Sequence, residues 1–250
     1  MQLQENQRGH YHYLQGIAPY SSGVVAADGF EIICATLDQP LPWEPAMLQV
    51  RRYLESIGTD RFALCGVQLR CREPHTMEDF VDFNSGYRQL LESWEMMVGE
   101  DNPLARTNVS PVVEPPGETM LVGFSYVVPT EEPGRTFVVA GGGELVGELD
   151  KTRIVRSGET SPEALLEKAR CVVTLMQDRL EGLRVSGDSL SQIHVYTAHP
   201  LQPLLEQVIL PGLPAAAQLG VRWFYSRPPV VDIEFEMDMR GVRQERMVAL

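Results

Sequence analysis

One arginine of the sequence stands in a context that could bind a carboxylate. Arg106 lies in NPLARTNV, where a proline and polar neighbours indicate a loop that runs toward a strand. The planar guanidinium group can hold a carboxylate through two parallel hydrogen bonds. The alternative is an ordinary solvated arginine at the surface. The sequence therefore offers Arg106 as a candidate contact for a small organic acid.

Carboxylates that could exchange protons occur near the C-terminus. In VDIEFEMDM acidic residues alternate with apolar ones, so they would share one face of a strand. These acidic residues are Asp232, Glu234, Glu236 and Asp238. Acid–base chemistry is one interpretation. A solvated or inter-subunit face is the other, because like charges in a row repel unless water or cations screen them.

Other kinds of site find little support in the sequence. The histidines have no metal-ligand spacing, so we expect no metal. No GxSxG nucleophile motif is present. The run Gly141 to Gly143 could present backbone N–H groups to an anion, but it lacks the helix and lysine of a phosphate-binding loop.

Composition restricts the class of protein and its partners. The chain has 250 residues, 44% of them apolar, which fits one large domain or two ordinary ones. Its net charge is −13 and only Lys151 and Lys168 are lysines, so the chain should repel nucleic acid. No apolar run approaches the roughly 18 residues of a membrane helix, and no secretion signal precedes the first strand. We therefore expect a cytoplasmic protein whose partner is a small molecule rather than a membrane.

The cysteines show neither disulfide nor metal spacing. They are Cys34, Cys65, Cys71 and Cys171, and each lies in an apolar or alternating run. A chain of this length needs no cross-link to hold a core together. We expect buried free thiols.

The predicted order of secondary-structure elements in the first half of the chain is β-β-α-β-α-β. Residues 23–36 contain two strand-like runs joined by Ala27, Asp28 and Gly29, which predicts a β-hairpin. Apolar spacing predicts a helix over 46–57 and, after the cap Thr76, a longer one. Strands are expected at 62–71 and 119–128.

The second half repeats this order after the linker PTEEPG. We expect strands at 137–140, 190–197 and 231–239, and helices at 162–180 and 201–210, the second one broken at Pro211. Pro45 and Pro162 lie 117 positions apart, while Arg106 and Arg222 lie 116 apart. The nearly equal spacing of these two pairs predicts that the second half is a duplicate of the first.

The predicted architecture is α+β, with two tandem units at residues 1–129 and 135–250. Each unit would be a mostly antiparallel sheet with two helices packed on one face. The other face of each sheet would then need a cover. We therefore predict assembly through the sheets into a homo-oligomer, most simply a trimer.

Three segments of the first half resemble the Rid (YjgF-like) family of reactive intermediate deaminases. They are IAPYSSGVVAADGFEIICAT, MEDFVDFNSGYRQLLESW and NPLARTNV with the strand that follows, which together extend over residues 17–128. The second half resembles the same unit through TFVVAGGGELVG, SPEALLEKARCVVTLMQDRL and VRWFYSRPPVVDIEFEMDM. The resemblance implies a pair of chorismate-mutase-like units, in a family that forms three-fold barrels with sites between neighbouring units.

The resemblance also implies a reaction. Family members with the loop arginine hydrolyse enamines and imines to 2-keto acids and ammonia without a cofactor. By motif, Arg106 would clamp the substrate carboxylate, while Tyr20 and Asn84 would line the pocket. Taken from the residues alone, Tyr20 and Asn84 could equally be packing or capping groups. Ala35 and Thr36 occupy the place of the family's Ser-Gly pair, and Thr107 follows the arginine.

Each half departs from the family pattern in a different way. The first half has Val122 or Gly123 where the family carries a water-positioning glutamate. The second half has Arg222 and Glu234 at the arginine and glutamate positions but lacks the tyrosine and the asparagine helix. We therefore expect a composite pocket.

In the composite pocket the first half supplies the arginine, and Glu234 or Glu236 supplies the acid. Two alternatives stay open on sequence grounds. The first is a non-catalytic protein that binds a small carboxylate, and the second is a lyase or hydrolase of the chorismatase type.

Overall fold

The computed structural model describes residues 1–17, 19–147 and 149–250. In chain order the strands are β1 (Leu3–Asn6), β2 (Tyr11–Leu14), β3 (Gly23–Ala26), β4 (Phe30–Pro42), β5 (Leu64–Arg70), β6 (Ala105–Pro111), β7 (Met120–Pro129), β8 (Phe137–Gly143), β9 (Gln192–Tyr196), β10 (Arg222–Phe224), β11 (Ser226–Arg227), β12 (Glu236–Gly241) and β13 (Gln244–Val248). The long helices are α1 (Trp43–Ser56), α2 (Met77–Ser93) and α3 (Pro162–Leu183). Shorter helical pieces are α4 (Leu201–Leu204), a π-helical turn (Leu205–Ile209), α5 (Leu210–Gly212) and α6 (Ala216–Leu219), with 3₁₀ turns at Gln7–Gly9, Arg61–Ala63, Lys151–Arg153 and Gly187–Ser189.

Helices α2 and α3 begin where the sequence predicts, whereas α1 begins at Trp43, three residues before the predicted start at position 46. The side chain of Thr76 accepts a hydrogen bond from the N–H of Asp79 at the start of α2, at 3.1 Å. Ser161 does the same for Ala164 at the start of α3, where Pro162 occupies the first turn. Helix α1 buries an apolar stripe on one face, as its spacing predicts.

The strands form two sheets with the same internal arrangement. The six-stranded sheet has the order β11-β6-β5-β7-β4-β13, and the seven-stranded sheet has the order β1-β2-β3-β8-β12-β9-β10. In the first, β4, β7 and β5 are antiparallel and β6 is parallel to β5. In the second, β8, β12 and β9 are antiparallel and β10 is parallel to β9. The α+β class is thus confirmed, with one four-strand arrangement present twice.

The sheets pack face to face with the helices outside. Side chains from both sheets form an apolar layer between them, which includes Tyr11, Tyr13, Val24, Ile32, Cys34, Val127 and Val138. Helices α1 and α2 cover the outer face of the six-stranded sheet, and α3 with the short helices covers that of the seven-stranded sheet. The sequence predicts that the sheet face opposite the helices needs a cover. In the structure these two faces cover each other within one chain.

Strands are exchanged across the predicted boundary between the halves. Residues 3–26 supply β1, β2 and β3 to the seven-stranded sheet, which otherwise consists of second-half strands. In return, β13 from the C-terminal end pairs with β4, and β11 pairs with β6. The sheets do not separate at residues 129–135, although each four-strand core lies within one half.

The predicted opening hairpin is wrong. Strands β3 and β4 lie on either side of the Ala27–Gly29 turn, but β3 pairs with β2 and β8 whereas β4 pairs with β7 and β13. Turn chemistry sets the reversal of the chain and not the pairing of the strands. Because both runs are buried, each needs two neighbours of its own, and the chain crosses from one sheet to the other here.

Further boundaries differ from the prediction, and the clearest cases are the following. Arg106 lies within β6 rather than in a loop, because Ala105–Val109 pair with β5. Strand β12 begins only at Glu236, since the carboxylate of Glu144 accepts the N–H groups of Glu234 and Phe235. The helical run after β9 continues through Pro211 to Gly212.

The prediction of buried free thiols is confirmed for three of the four cysteines. Cys34, Cys65 and Cys71 are buried, Cys171 is half-buried, and all four are free thiols. Among the described residues, each helix is too short or too polar to cross a bilayer.

Candidate active site

A pocket of about 340 Å³ opens between the two halves of the chain. It lies at the C-terminal end of β8, in the part of this strand that does not pair with β3. This volume lies in the range of small-molecule sites. Its wall includes Tyr20, Ser22, Phe80, Arg106, Asn108, Gly141, Leu175, Arg179, Val230, Ile233 and Glu236. First-half and second-half residues therefore share one cavity.

Arg106 is held at the pocket wall by aromatic rings and one amide. Its Nη2 donates to Oδ1 of Asn84 at 2.5 Å, and its guanidinium carbon lies 4.5 Å from the Tyr20 ring centre and 4.7 Å from that of Tyr87. Phe80 and Phe83 lie further out around the same group. Cation–π contacts of this kind stabilise a guanidinium without neutralising it.

Arg106 keeps capacity for a ligand. Its side chain is 3% exposed, and Nη1 has no hydrogen-bond partner among the described residues. Burial lowers the pKa of the guanidinium, and Tyr20, Tyr87 and Glu236 oppose this effect. A buried, charged and unsatisfied donor of this kind is suited to a carboxylate.

Helix α2 and the segment before β3 position these partners. Asn84 lies on the buried face of α2 together with Phe80, Tyr87 and Leu91. The side-chain amide of Asn102 donates to the carbonyl of Pro19 at 2.7 Å, next to Tyr20. The N–H of Ser21 donates to Leu104 O at 2.9 Å. The tyrosine is thus tied to the chain that leads into β6.

Glu236 supplies a buried carboxyl group from the second half. It is the first residue of β12 and is 4% exposed. Burial raises its pKa to about 8; the nearby Asp238 carboxylate acts in the same direction, while Arg179 and Arg106 oppose it. The carboxyl group is therefore largely protonated at neutral pH and can both give and take a proton near pH 7.

Arg179 of α3 is a second cation of the pocket. Its side chain is 7% exposed, and Nη1 donates to Ala140 O at 2.8 Å and to Gly141 O at 3.2 Å. Its Nε has no partner among the described residues. Burial lowers the pKa of this guanidinium too, with Tyr20 and Glu236 acting against the shift.

Asn108 adds an unpaired amide to the pocket wall. It follows Arg106 by two positions on β6, so both side chains lie on one face of the strand. The residue is 3% exposed, and neither Oδ1 nor Nδ2 has a partner among the described residues. It can therefore both donate to and accept from a ligand.

Asp238 lies deeper between the sheets, in a hydrogen-bonded network. It accepts from Tyr196 at 2.7 Å and from Thr107 at 2.8 Å, and its other oxygen lies 3.1 Å from Nδ1 of His194. Burial alone would raise the pKa of Asp238, but His194, Arg240 and the hydrogen bonds hold it below its usual range. Asp238 is thus a fixed negative charge on the same face of β12 as Glu236.

The predicted solvated carboxylate face is therefore wrong for Glu236 and Asp238. The two side chains are 4% and 1% exposed. The partner that covers them is the other sheet of the same chain. Alternation along one strand shows that residues share a face, but it does not show what covers that face.

The structure brings together four of the residues singled out from the sequence. Arg106 and Tyr20 line one end of the pocket, and Glu236 lies in its wall from the other half. Asn84 lies outside the pocket wall, contrary to the prediction, and accepts a hydrogen bond from Arg106. The other candidate glutamate, Glu234, lies outside the pocket wall and pairs with His199 at 2.8 Å.

The remaining predicted site residues lie elsewhere. Ala35 is buried in the core beneath the helices, and Thr36 is exposed on β4. Thr107 faces Asp238 rather than the pocket. Arg222 lies at the surface, 3.5 Å from Glu245. These four predictions of substrate contact gain no support from the position of the side chains.

Sequence reasoning missed Arg179 and gave Asn108 no role. Arg179 follows Met176 by three positions on the apolar stripe of α3. An arginine on a buried helix face was the signal that could have identified it. No group of three or more His, Cys, Asp or Glu side chains in the described part of the chain is placed to hold a metal ion.

The arrangement can bind an acid and move protons beside it. Two guanidinium groups attract carboxylates, and Glu236 is a proton donor and acceptor close to both. Rings from Tyr20 and Phe80, together with Leu175, Val230 and Ile233, give the pocket an apolar lining for a carbon skeleton.

Comparison with known proteins identifies a family and a named relative. A family model described as 2-aminomuconate deaminase CnbZ matches residues 3–246. A 2-amino-5-chloromuconate deaminase of Comamonas testosteroni is 36% identical over 247 residues, which cover 96% of this chain and 96% of the relative.

Matches among solved structures include a chorismatase and a YjgF-family protein. A chorismatase superposes with a TM-score of 0.52 at 12% identity, covering 96% of this chain and 79% of the chorismatase. A YjgF-family protein from Neisseria meningitidis gives a TM-score of 0.25 at 16% identity, over 51% of this chain and 100% of that protein. The chorismatase likeness extends over both halves and concerns the fold alone.

Proposed function

The chain belongs to the 2-aminomuconate deaminase CnbZ family, and from that premise we propose that it deaminates a 2-aminomuconate by adding water at the carbon that bears nitrogen. The observation that carries the proposal is the position of Arg106 and Glu236 in one pocket: a cation that can hold the acid, and a carboxyl group with its pKa near 8.

Binding comes first in the proposed reaction. The carboxylate next to the amino-bearing carbon accepts hydrogen bonds from Arg106, whose Nη1 has no partner within residues 1–17, 19–147 and 149–250. Asn84 and the ring of Tyr20 fix the plane of the guanidinium, so the carbon skeleton has one orientation. Fixing the substrate beside the proton donor removes much of the entropic cost of reaction.

Glu236 then carries the protons. The carboxyl group gives its proton to the enamine carbon, a C–H bond forms and the nitrogen-bearing carbon becomes an iminium. The resulting carboxylate takes a proton from water as the water oxygen attacks that carbon. The tetrahedral carbinolamine that forms is neutral, and Glu236 is again a neutral acid.

Loss of ammonia completes the cycle. Glu236 protonates the amino group, the C–N bond breaks, and the proton of the hydroxyl group returns to the carboxylate. The sum is one enamine and one water giving one 2-keto acid and one ammonia. The groups named here complete this hydrolysis by proton transfers alone. The raised pKa suits Glu236 for both directions of transfer at neutral pH.

The test is turnover of 2-aminomuconate generated in situ, followed by loss of diene absorbance and by ammonia release. We expect Arg106→Gln to lower kcat/KM by 100-fold or more. Arg170→Gln is the matched control, because this arginine is exposed on α3 and lies outside the pocket wall, and the activity of this variant should stay within twofold of the native protein. Saturable binding without ammonia release would instead favour the non-catalytic alternative.

Arg106→Lys separates loss of the planar group from loss of charge. A lysine keeps the positive charge but cannot make two parallel hydrogen bonds to a carboxylate. We expect an increase in KM with a smaller loss in kcat than for Arg106→Gln. Melting temperatures of both variants show whether either change unfolds the protein.

Assembly into a homo-oligomer, most simply a trimer, is also part of our proposal. Residues 222–227 form the outer strands β10 and β11 of both sheets, and they expose Trp223 by 47% and Tyr225 by 51%. Exposed aromatic side chains at sheet edges favour association. Light scattering at micromolar concentration tests this proposal, and a monomer would contradict it.

A further inference from the structure

We propose that Arg179 binds the second carboxylate of the substrate, so that the pocket selects dicarboxylates over monocarboxylates. The inference rests on the proposed function, since it concerns the same pocket and a substrate with two acid groups. It assigns a specificity role to a residue that sequence reasoning did not single out.

The two arginines reach the pocket from opposite halves of the chain. Arg106 lies on β6 of the six-stranded sheet, whereas Arg179 lies on α3, outside the seven-stranded sheet. Both act electrostatically on Glu236. A substrate placed with its reacting carbon beside Glu236 can therefore direct one carboxylate toward each guanidinium.

The charge of the pocket fits a dianion. Neither guanidinium has a carboxylate within salt-bridge distance among the described residues. Glu236 is the one acidic residue of the pocket wall described here, and its pKa of about 8 leaves it largely neutral at pH 7. Two positive charges thus face the pocket without an ionised partner. A monocarboxylate would neutralise only one of them.

Arg179 also has an unsatisfied donor. Its Nη1 is used by two carbonyl groups at the end of β8, but Nε is buried and unpaired among the described residues. A buried donor without a partner is unfavourable, because it has lost its hydrogen bonds to water. A ligand carboxylate would remove that cost, whereas a purely structural role for Arg179 would leave it in place.

Glycines at the end of β8 allow the arginine to lie close to the strand. A Cβ on Gly142 would lie 2.9 Å from Nη1 of Arg179 and 2.9 Å from Leu175. The guanidinium is therefore held against the backbone by both hydrogen bonds and shape. This fixed position is what recognition of a distal acid group requires.

Muconate and sorbate provide the test. Both are six-carbon conjugated dienoic acids without an amino group, and they differ in a carboxylate or a methyl group at the far end. Calorimetry measures the affinity of each. We expect the native protein to bind muconate at least 10-fold more tightly, in line with hydrogen bonds to a charged group. Arg179→Gln should remove most of this preference by weakening muconate binding while sorbate binding stays within about twofold.

Two comparisons make the result specific. Arg106→Gln should weaken both ligands, because both carry the proximal carboxylate. Arg170→Gln, at an exposed arginine of the same helix, should leave both affinities unchanged. If Arg179→Gln does not fold, Arg179→Lys keeps the charge and should retain part of the preference for muconate. Equal weakening of both ligands by a folded Arg179 variant would overturn the inference, as would equal affinities in the native protein.

The failure of this inference differs from failure of the proposed function. Turnover of 2-aminomuconate by a native protein that does not distinguish muconate from sorbate would overturn the role of Arg179 alone. Absence of both turnover and binding of either acid would overturn both proposals.

Discussion

Gly141 lies directly beneath the carboxyl group of Glu236: a Cβ on the glycine would overlap Oε1 of the glutamate. The same Cβ would lie 3.2 Å from the backbone of Thr107. The absence of a side chain at position 141 is therefore what allows the acid from one half to reach the arginine of the other. Gly141 thus permits a close approach between the two halves.

We expect Gly141→Ala to lower kcat/KM by 10-fold or more, because Glu236 must move away from its position. The protein should remain folded, since the carboxyl group is at the pocket wall and can shift into it. Gly117→Ala is the matched control, because a Cβ there has no atom within 4 Å. Equal activity of the two variants would contradict the close contact at Gly141.

The pH dependence of activity should report the ionisation of Glu236. The proposed reaction starts from the neutral carboxyl group, so kcat/KM should fall as pH rises through about 8, the value to which burial and Asp238 raise the pKa. Glu236→Gln should lower activity by about 100-fold and lose this alkaline limb. A native rate that keeps rising above pH 9 is incompatible with this role.

The same group should make stability depend on pH. In the folded chain Glu236 holds its proton up to about pH 8, whereas the usual value for the exposed group is 4.5. Between these two values the folded state binds the additional proton, so the free energy of unfolding decreases as pH rises, by at most about 1.4 kcal/mol per pH unit. Above pH 8 this contribution is gone.

The effect is measured by urea unfolding of the native protein and of Glu236→Gln at pH 5.5, 6.5 and 7.5. In the difference between their free energies of unfolding, the contributions of the other titrating groups cancel. We expect the native protein to lose stability relative to the variant as pH rises. A constant difference would show that the pKa of Glu236 is not raised.

Glu234 and Glu236 are two positions apart, and substitution separates their roles. Glu234 pairs with His199 outside the pocket wall, so Glu234→Gln should leave kcat/KM within about twofold. Glu236→Gln is the matched variant with the large expected loss. The opposite order of effects would restore Glu234, the glutamate favoured by the motif, as the acid of the site.

Much of this site can be predicted from the sequence, because local patterns determine where several of its residues lie. Thr76 and the apolar spacing after it define α2, and Asn84 then lies on its buried face by helical geometry. The motif around Arg106 identified the cation although the residue lies in a strand rather than a loop.

What the sequence could not provide is the pairing of distant segments. The turn at Ala27–Gly29 predicts a reversal, yet β3 and β4 join different sheets because strands from far along the chain complete each one. Glu236 is buried because the other sheet packs over it, and no local pattern encodes that contact. Arg179 interrupts an apolar helix face, and only its carbonyl partners explain how it is accommodated.

The buried pair of Lys168 and Glu144 should matter for both stability and activity. Both side chains are 0% exposed and their charged atoms lie 3.0 Å apart. The Glu144 carboxylate also accepts the N–H groups of Glu234 and Phe235, directly before Glu236. The pair therefore fixes the backbone from which the proposed acid enters β12.

Lys168→Met should lower the free energy of unfolding by about 3 kcal/mol, since it leaves a buried carboxylate without its counter-charge. In the double variant Lys168→Met/Glu144→Gln the uncompensated charge is removed, and part of that loss should be recovered. Activity should stay low in the double variant, because an amide has only one oxygen to accept the two N–H groups that Glu144 holds. Urea unfolding and kcat/KM measured on the same preparations separate the two effects, and native-like activity in the stable double variant would show that Glu144 does not position Glu236.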